Sequence, residues 1–130
     1  MSRDNIEIVR RVVAALNGRD LDAYLACCTA DVELHLPVVG GIYTGPDGIR
    51  RWFADLEDSG PDFHVELGDV EAVGGDQVIA FFHVASTGRA SGVPVTLDTA
   101  NVYDLIDGRI NRIRILLDAQ EARRAVGLQE

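Results

Sequence analysis

Side chains that could carry out acid–base chemistry are few in this sequence, and His35 is the first candidate. A histidine exchanges its proton near neutral pH, so at the mouth of an apolar pocket His35 would serve as general base or general acid. The alternative is a partly exposed strand histidine that faces Glu33 or solvent. The choice depends on which face of its strand His35 occupies.

Asp118 is the second candidate and stands where the last apolar strand gives way to a helix. A carboxylate in that place can donate a proton to a bound ligand or accept one from it. The segment 118–121, Asp-Ala-Gln-Glu, is also a helix N-cap with an acid at the third position, which needs no ligand. Both roles can coexist because a cap uses one carboxylate oxygen.

Arg114 is the other polar group near Asp118. On one strand it would lie on the same face as Asp118 and could pair with an acidic substrate. An arginine that alternates with Ile113 and Ile115 more often belongs to a solvent-exposed face. If Ile113, Ile115 and Leu117 point inward, Asp118 reaches a pocket because the strand ends and turns there. The sequence does not decide whether Arg114 faces the pocket with Asp118 or faces solvent.

Further polar and aromatic side chains could line a pocket. Thr99, Asn101 and Tyr103 share one face of a strand that is otherwise rich in apolar residues. They either line the pocket or pair across strands. The aromatic wall of such a pocket would come from Tyr24, Tyr43, Trp52 and Phe53. At their helical spacing, Trp52 and Phe53 are more often plain core residues.

Covalent and metal-dependent catalysis are disfavoured. The glycines at 40–41 and 45 lack the flanking strand, lysine and helix of a phosphate-binding loop, and neither a nucleophile elbow nor zinc-ligand spacing occurs. Cys27 and Cys28 are sequence neighbours, poorly arranged for pairing with each other, and are expected to be small buried or half-buried residues. We therefore expect neither a metal nor another cofactor.

Composition and charge exclude several partner classes. The 130 residues include 12 basic and 21 acidic ones, giving a formal charge of −9, so nucleic acids and anionic membranes are repelled. No apolar run approaches the ~20 residues of a membrane span. Asp4, Asn5 and Glu7 stand where a signal peptide would be apolar. We expect a single domain over 1–130 and a cytoplasmic location.

Hydrophobic periodicity predicts the elements that must position these side chains. Apolar residues at helical spacing predict a first helix that is followed by a break at 17–19, a second capped by Asp20 and a third that begins near Pro46. The segment 31–37 is predicted as an edge strand, followed by a loop around Tyr43. The period then becomes two, which predicts strands at 63–73, 77–87, 95–105 and 110–117, before a closing helix at 118–126.

Helices followed by a meander of strands indicate an α+β fold, in which a strongly curved antiparallel sheet wraps around the N-terminal helices. Such a sheet leaves a cone between itself and the helices, where a small molecule would bind. The other face of the sheet is expected to form a symmetric homodimer. His83 is predicted on that outer face, at the dimer contact.

Stretches from nearly the whole chain carry a family likeness: 13–22, 31–37, 43–49, 107–110 and 114–118. Together they resemble the SnoaL-like branch of the nuclear-transport-factor-2-like superfamily. The resemblance implies a cone-shaped α+β fold that is commonly dimeric. This fold occurs in ketosteroid isomerase, limonene epoxide hydrolase, scytalone dehydratase, polyketide cyclases and non-catalytic binders. The resemblance therefore implies the fold and not the chemistry. It also favours Asp118, since this superfamily often places a working carboxylate at the end of the last strand.

Of the three catalytic roles in ketosteroid isomerase, which this sequence resembles, only one is kept here. Val12 stands at the position of the oxyanion-binding tyrosine. Leu36, or His35 if the loop is one residue shorter, stands at the catalytic aspartate. Asn101 matches the protonated aspartic acid and could donate a hydrogen bond to a carbonyl. Isomerase activity of that type is therefore not expected.

The similarity to limonene epoxide hydrolase is also incomplete. Asp118 matches the aspartate that closes the last strand. Phe82 and Val84 stand where the hydrolase has its arginine and aspartate. Glu33 and His35 replace the tyrosine and asparagine that hold the water. The hydrolase interpretation is thereby weakened.

These observations predict a cofactor-free enzyme that acts by acid–base catalysis on a small, mostly apolar ligand, with Asp118 as the proton-transfer group and His35 and Asn101 assisting. The reaction would be an isomerisation, hydration, dehydration or cyclisation. The alternative is a non-catalytic module for small-ligand binding or dimerisation. A carboxylate and an imidazole around a shared void would favour the enzyme, and a filled cone the module. The predicted ligand contacts are Tyr24, Tyr43, Trp52, Phe82, Val84, Tyr103 and Arg114.

Overall fold

The computed structural model describes residues 2–37, 40–59, 62–87, 94–125 and 127. The helices are α1 (Ser2–Asn17), α2 (Leu21–Ala26), α3 (Gly45–Ser59) and α4 (Ala119–Ala125). The strands are β1 (Cys28–Leu36), β2 (Gly41–Thr44), β3 (His64–Val73), β4 (Gln77–Thr87), β5 (Pro94–Ile106) and β6 (Arg109–Leu116). In this described part of the chain, no helix is long and apolar enough to span a membrane. The predicted helix end at Val126 lies outside the described residues.

The helices form where the periodicity predicts them. One face of α1 is apolar and buried against the sheet, because its valines recur at helical spacing. Asp20 is the N-cap of α2, and its carboxylate accepts a hydrogen bond of 3.1 Å from the backbone N–H of Ala23. On α3, Ile49 and Trp52 are buried, so the polar residues of this helix face solvent.

The sheet has six strands in the order β2-β1-β6-β5-β4-β3. Its pairs are antiparallel except for β1 with β6, which is parallel. Two local predictions were wrong: β1 is an interior strand rather than an edge strand, and the segment around Tyr43 is strand β2 rather than a loop. Gly40 precedes β2 and adopts a φ of 71°, which glycine tolerates. Strand β2 pairs with β1 and forms the edge of the sheet.

The sheet is curved, as predicted. Its strand register shifts between Leu67 and Val70 and between Asp104 and Leu105, and such bulges bend and twist a sheet locally. Helix α1 packs on β3 and β4, and α3 packs on β1 and β2. Residues of both helices line one cavity together with strand residues, so both helices cover the same face of the sheet, called the inner face below. The predicted α+β class is confirmed.

The opposite, outer face is partly covered by α4. A small second core forms there from Ala122 of α4 and residues of β4, β5 and β6: Ile79, Ala100, Val102 and Leu116. His83 also lies on this face, as predicted, and its Nδ1 is 2.8 Å from Asp98 Oδ1. Toward β1 and β2 the outer face is not covered by α4, and Ile42 there is 55% exposed.

Candidate functional site

A cavity of about 280 Å³ lies between the inner face of the sheet and helices α1, α2 and α3. Its wall is mostly aliphatic and aromatic. Among the described residues that line it, the polar side chains are Tyr24, Thr99, Asn101 and Tyr103. The wall therefore fits an apolar molecule with few polar groups.

The alternation of side chains along β4 and β5 explains which of their residues line the cavity. Successive side chains of a strand point to opposite faces, so Thr99, Asn101 and Tyr103 of β5 all face inward. Phe82 and Val84 of β4 follow the same rule and line the cavity with them. The expectation that this polar trio lines the cone, one of the two alternatives, is thereby confirmed.

The polar side chains of β5 form a small hydrogen-bonded group. The side-chain Nδ2 of Asn101 donates to the hydroxyl oxygen of Tyr103 over 3.1 Å. The Oδ1 of Asn101 is buried and accepts no hydrogen bond from the described residues. A buried carbonyl without a donor is unfavourable by about 1–3 kcal/mol.

The two buried phenols of the cavity remain protonated at ordinary pH. Burial raises the pKa of Tyr24 well above its usual value, and the neighbouring Tyr103 and Cys28 raise it further. Burial also raises the pKa of Tyr103, and the hydrogen bond from Asn101 offsets part of that increase. Both hydroxyls therefore act as neutral hydrogen-bond donors rather than as bases.

An aromatic cluster holds Tyr24 in place. Its ring centroid is 5.9 Å from that of Trp52 and 5.2 Å from that of Phe53, the latter with an edge-to-face geometry. Contacts of this type fix ring orientation. The phenol of Tyr24 is therefore presented to the cavity from a rigid support.

Six predicted site residues lie on the cavity wall: Tyr24, Trp52, Phe82, Val84, Asn101 and Tyr103. Their positions agree with the sequence-based interpretation. Their roles toward a ligand remain predictions.

The predicted position of His35 at the mouth of the cone is wrong. His35 pairs with Arg114 across β1 and β6, and the preceding pair is Leu34 with Ile113. Leu34 is fully buried and Ile113 lines the cavity, so His35 points to the outer face. There its Nε2 is 2.8 Å from Glu33 Oε1, the contact that the alternative interpretation expected.

Arg114 does not contact the cavity either, because it shares the outer face with His35. Its Nη2 is 3.8 Å from Asp104 Oδ2, and its Nε is buried without a hydrogen-bond partner among the described residues. The alternative of an outward-facing arginine is the one observed. Arg112, on the same face, binds Asp104 more closely, with its Nε 2.7 Å from Oδ2.

Tyr43 was predicted to line the cavity and lies outside it. Helix α3 covers β2, and it approaches so closely that a Cβ on Gly48 would be 2.8 Å from the Tyr43 carbonyl carbon. The Tyr43 hydroxyl donates to Asp55 over 2.7 Å, and the Arg51 guanidinium lies over its ring. The side chain is thus used in packing β2 against α3.

Asp118 is exposed and caps α4. Its Oδ1 accepts a hydrogen bond of 2.8 Å from the backbone N–H of Gln120. It does not line the cavity, although the preceding Leu117 does, because Ile113, Ile115 and Leu117 are the inward residues of this segment. The helix-cap role is therefore observed, and a role in proton transfer stays a prediction.

Several wall residues were not among the predicted ligand contacts: Leu36, Leu56, Phe63, Val65, Leu97 and Leu117. Alternation with Thr99 and Asn101 on one strand is the signal that could have identified Leu97. No comparable signal marks Leu56 or Phe63, since apolar residues of their kind occur equally in filled cores.

Charged side chains are absent from the described part of the cavity wall. Within the described ranges, no group of three or more histidine, cysteine or acidic residues could hold a metal ion. Cys27 and Cys28 are free and buried, as expected, and burial raises the pKa of Cys28 to about 12. The arrangement can bind and orient a ligand through phenol and amide groups.

Comparisons with known proteins agree with this geometry. The sequence model of the SnoaL-like domain matches residues 9–113. A search of the curated proteins found no match.

Solved structures of similar fold are numerous. TerC, co-crystallised with polyporic acid, has a TM-score of 0.80 and 22% identity, covering 95% of this chain and 98% of that one. A putative SnoaL-like polyketide cyclase from Jannaschia sp. CCS1 has a TM-score of 0.80 and 19% identity, covering 99% and 95%. A hypothetical protein from Catenulispora acidiphila with a ketosteroid isomerase-like fold, in complex with trimethylamine, has a TM-score of 0.79 and 20% identity, covering 94% and 93%.

Proposed function

Since the chain belongs to the SnoaL-like domain family, we propose that it binds a small, mostly apolar molecule in the cavity between sheet and helices. The observation that carries this proposal is an open cavity of about 280 Å³ whose wall is mostly apolar. A filled cone would have argued against a ligand. Because the described wall offers no charge to compensate a buried ion, the ligand is uncharged.

Binding is favoured over acid–base turnover by the side chains that the cavity contains. A general base must lie within hydrogen-bond reach of the proton that it removes. Neither a carboxylate nor an imidazole occurs among the described residues of the wall, and the phenols are held in their neutral form. The cavity thus satisfies the requirements of a receptor for a small molecule.

Cofactor-free catalysis by Asp118 is the second candidate function. Asp118 directly follows Leu117, which lines the cavity while being 46% exposed, so the carboxylate is next to the opening. The cap uses Oδ1 and leaves Oδ2 without a hydrogen bond among the described residues. The likeness to a putative polyketide cyclase supports a cyclisation as the reaction.

The binding proposal is tested with tetralin, an apolar two-ring probe, and its carboxylate analogue, using calorimetry. The wild type is expected to bind tetralin at least about tenfold more tightly than the carboxylate. Val84→Trp fills the cavity and is expected to weaken tetralin binding about tenfold or more.

The matched control is His83→Trp, since His83 neighbours Val84 on β4 but lies exposed on the outer face. This variant is expected to bind tetralin as the wild type does. No binding of tetralin to the wild type, or equal binding by both tryptophan variants, would contradict a ligand in the cavity.

A further inference from the structure

We propose that the Oδ1 of Asn101 accepts a hydrogen bond from a hydroxyl group of the ligand, so that the cavity selects neutral alcohols and phenols built on an apolar ring. This inference rests on the proposed function and names the ligand class of the same cavity. It assigns Asn101 as a residue that determines specificity, with its amide oxygen as the acceptor.

The Oδ1 of Asn101 is a polar atom whose hydrogen-bonding capacity is unused. It is enclosed and receives no hydrogen bond from the described residues, although the side chain lines the cavity. Ala80 and Ile115, which pair with Asn101 on β4 and β6, have apolar side chains and therefore no side-chain donor to offer. A molecule inside the cavity can supply the missing donor.

The orientation of the Asn101 amide is set by Tyr103, two residues further along the same face of β5. The Nδ2 of Asn101 donates to the Tyr103 hydroxyl oxygen over 3.1 Å, which directs the amino end of the amide toward Tyr103. The oxygen of a planar amide points in a different direction from its nitrogen. Tyr103 is therefore a positioning residue that leaves the acceptor of Asn101, rather than its donor, for a ligand.

Asn101 lies within the cavity rather than at its mouth. On the inward side of β5, Leu97 is exposed and Tyr103 is buried, and Asn101 stands between them. The hydroxyl group must therefore be carried by the part of the ligand that enters the cavity. A ring compound whose hydroxyl remains outside would not reach Oδ1.

The rest of the wall restricts the kind of donor. An ammonium group would be buried without a counter-charge, because the described wall holds no charged side chain. A ligand with only a carbonyl would leave Oδ1 unpaired, which is unfavourable. A neutral hydroxyl satisfies both conditions, and unlike an amide N–H it brings no additional carbonyl that must be buried.

The test compares three probes with the same two-ring skeleton. α-Tetralol offers a hydroxyl donor, α-tetralone carries only an acceptor oxygen at the same position, and tetralin has no polar group. Each probe, with the two α-tetralol enantiomers taken separately, is titrated by calorimetry into the wild type. The better enantiomer is expected to bind at least about fivefold more tightly than α-tetralone.

Asn101→Leu is expected to reduce the affinity ratio of α-tetralol to α-tetralone about fivefold or more, because the acceptor is removed. The ratio is the informative quantity, since the hydration of each probe is the same in both titrations. Tetralin affinity is expected to change less than about threefold. Asn101→Asp keeps an acceptor oxygen at this position and is expected to retain the preference for α-tetralol.

Asn111→Leu is the matched control. Asn111 does not line the cavity, and its Oδ1 already accepts from the Thr29 hydroxyl over 2.9 Å. This variant is expected to bind all probes as the wild type does.

Three outcomes would overturn the inference, and only one of them would also remove the proposed function. A wild-type preference for α-tetralone would show that the amide presents its donor. Tetralin binding without any preference for α-tetralol, or the same preference in Asn101→Leu, would leave an apolar receptor that does not use Asn101. No binding of any probe to the wild type would contradict both the inference and the binding function.

Carbon-13 NMR of the asparagine side-chain carbonyls supplies a readout that packing alone would not produce. The Asn101 Cγ signal is identified by its absence in Asn101→Leu. A hydrogen bond to Oδ1 is expected to move this signal downfield when α-tetralol binds, and tetralin is expected to move it much less. Equal shifts with α-tetralol and tetralin would contradict a hydrogen bond from the ligand hydroxyl.

Discussion

Asp118 combines a backbone cap with a carboxylate oxygen that makes no hydrogen bond in the described structure. These two features respond differently to substitution. Asparagine caps a helix about as well as aspartate, whereas alanine does not cap. Single-residue variants can therefore separate the structural role of the side chain from its proposed chemistry.

We expect Asp118→Asn to change the free energy of unfolding by less than about 0.5 kcal/mol and Asp118→Ala to lower it by about 1 kcal/mol. Urea unfolding measures both values. Tetralin binding should be unaffected in Asp118→Asn, because the residue does not line the cavity. For any compound that the wild type converts, Asp118→Asn should lower turnover about 100-fold or more. Turnover that survives in this variant would assign Asp118 to the cap alone.

His35→Gln is expected to leave tetralin affinity unchanged at both pH 5.5 and pH 8. The reason is that His35 lies on the outer face beside Glu33, with the sheet between it and the cavity. Calorimetry at the two pH values checks this expectation. A pH dependence of binding that is present in the wild type and absent in the variant would contradict the outward assignment.

At the level of residues, periodicity and family resemblance were sufficient to place Tyr24, Phe82 and Asn101 on the wall. They failed for His35 and Arg114, because the inward phase of a strand is ambiguous when both of its faces carry polar residues. A shift of one residue exchanges the two faces completely. The unpartnered Oδ1 of Asn101 could not be predicted at all, since residues far apart in sequence decide which polar atoms find a partner.

At the level of the elements, the C-terminal end of α1 is hydrogen-bonded to the edge strand β3. An edge strand leaves backbone groups unpaired on one side. Here the Asn17 side chain takes the place of a neighbouring strand: its Nδ2 donates to the Val65 carbonyl oxygen over 2.8 Å, and its Oδ1 accepts from the Val65 N–H over 2.9 Å. Val65 is also a wall residue, so this contact supports the cavity.

Asn17→Ala is expected to lower the free energy of unfolding by about 1–3 kcal/mol, because both Val65 backbone groups lose their partner. Hydrogen exchange at the Val65 amide should accelerate more than exchange elsewhere in β3. Asn17→Asp serves as the control, since it keeps the acceptor for the amide and should protect that hydrogen better than alanine does. Equal exchange in the wild type and Asn17→Ala would show that the contact does not hold β3.

Element types and order followed from the sequence more reliably than strand pairing did. The helices and the four later strands were predicted because apolar periods of 3.6 and two are local properties. That β1 is interior, and parallel to β6, depends on which distant strand covers its free edge. Local patterns carry little information on that choice.

For the whole molecule, ionisable groups inside the core determine the response to alkaline pH. The pKa of Cys28 is raised to about 12 by burial, and the pKa values of Tyr24 and Tyr103 are raised as well. In the unfolded chain these groups ionise at their ordinary values, near 9 for cysteine and 10 for tyrosine. At pH values between the unfolded-state pKa and the folded-state pKa of each group, the folded protein binds more protons than the unfolded chain. The free energy of unfolding therefore falls as pH rises through this range.

We expect the free energy of unfolding to be constant, with respect to these groups, up to about pH 8 and to decrease above pH 9 to 10. Each group that ionises only in the unfolded chain contributes a slope of about −1.4 kcal/mol per pH unit. Urea unfolding at several pH values measures the slope. Tyr103→Phe removes one such group and should reduce the decrease above pH 10. The same slope in both proteins would contradict a neutral, buried Tyr103.

A symmetric dimer through the outer face remains our expectation for the assembled protein. The part of this face that α4 leaves uncovered carries the exposed Ile42, and the Arg114 Nε has no partner there among the described residues. Light scattering is expected to give twice the monomer mass at micromolar concentration. Ile42→Lys should shift the equilibrium toward the monomer, and a wild-type monomer would exclude the dimer.

The parallel pairing of β1 with β6 also determines how late during synthesis the fold can be completed. Pairs such as Leu34 with Ile113 join an early segment of the chain to a late one. Ribosomal synthesis delivers α1, α2, β1 and α3 long before β6, so one edge of β1 stays open during most of translation. The cavity wall, which needs residues from both segments, closes only when β6 arrives. Contacts this distant in sequence slow folding, and nascent chains halted before β6 should expose the apolar side of β1 to chaperones and to one another.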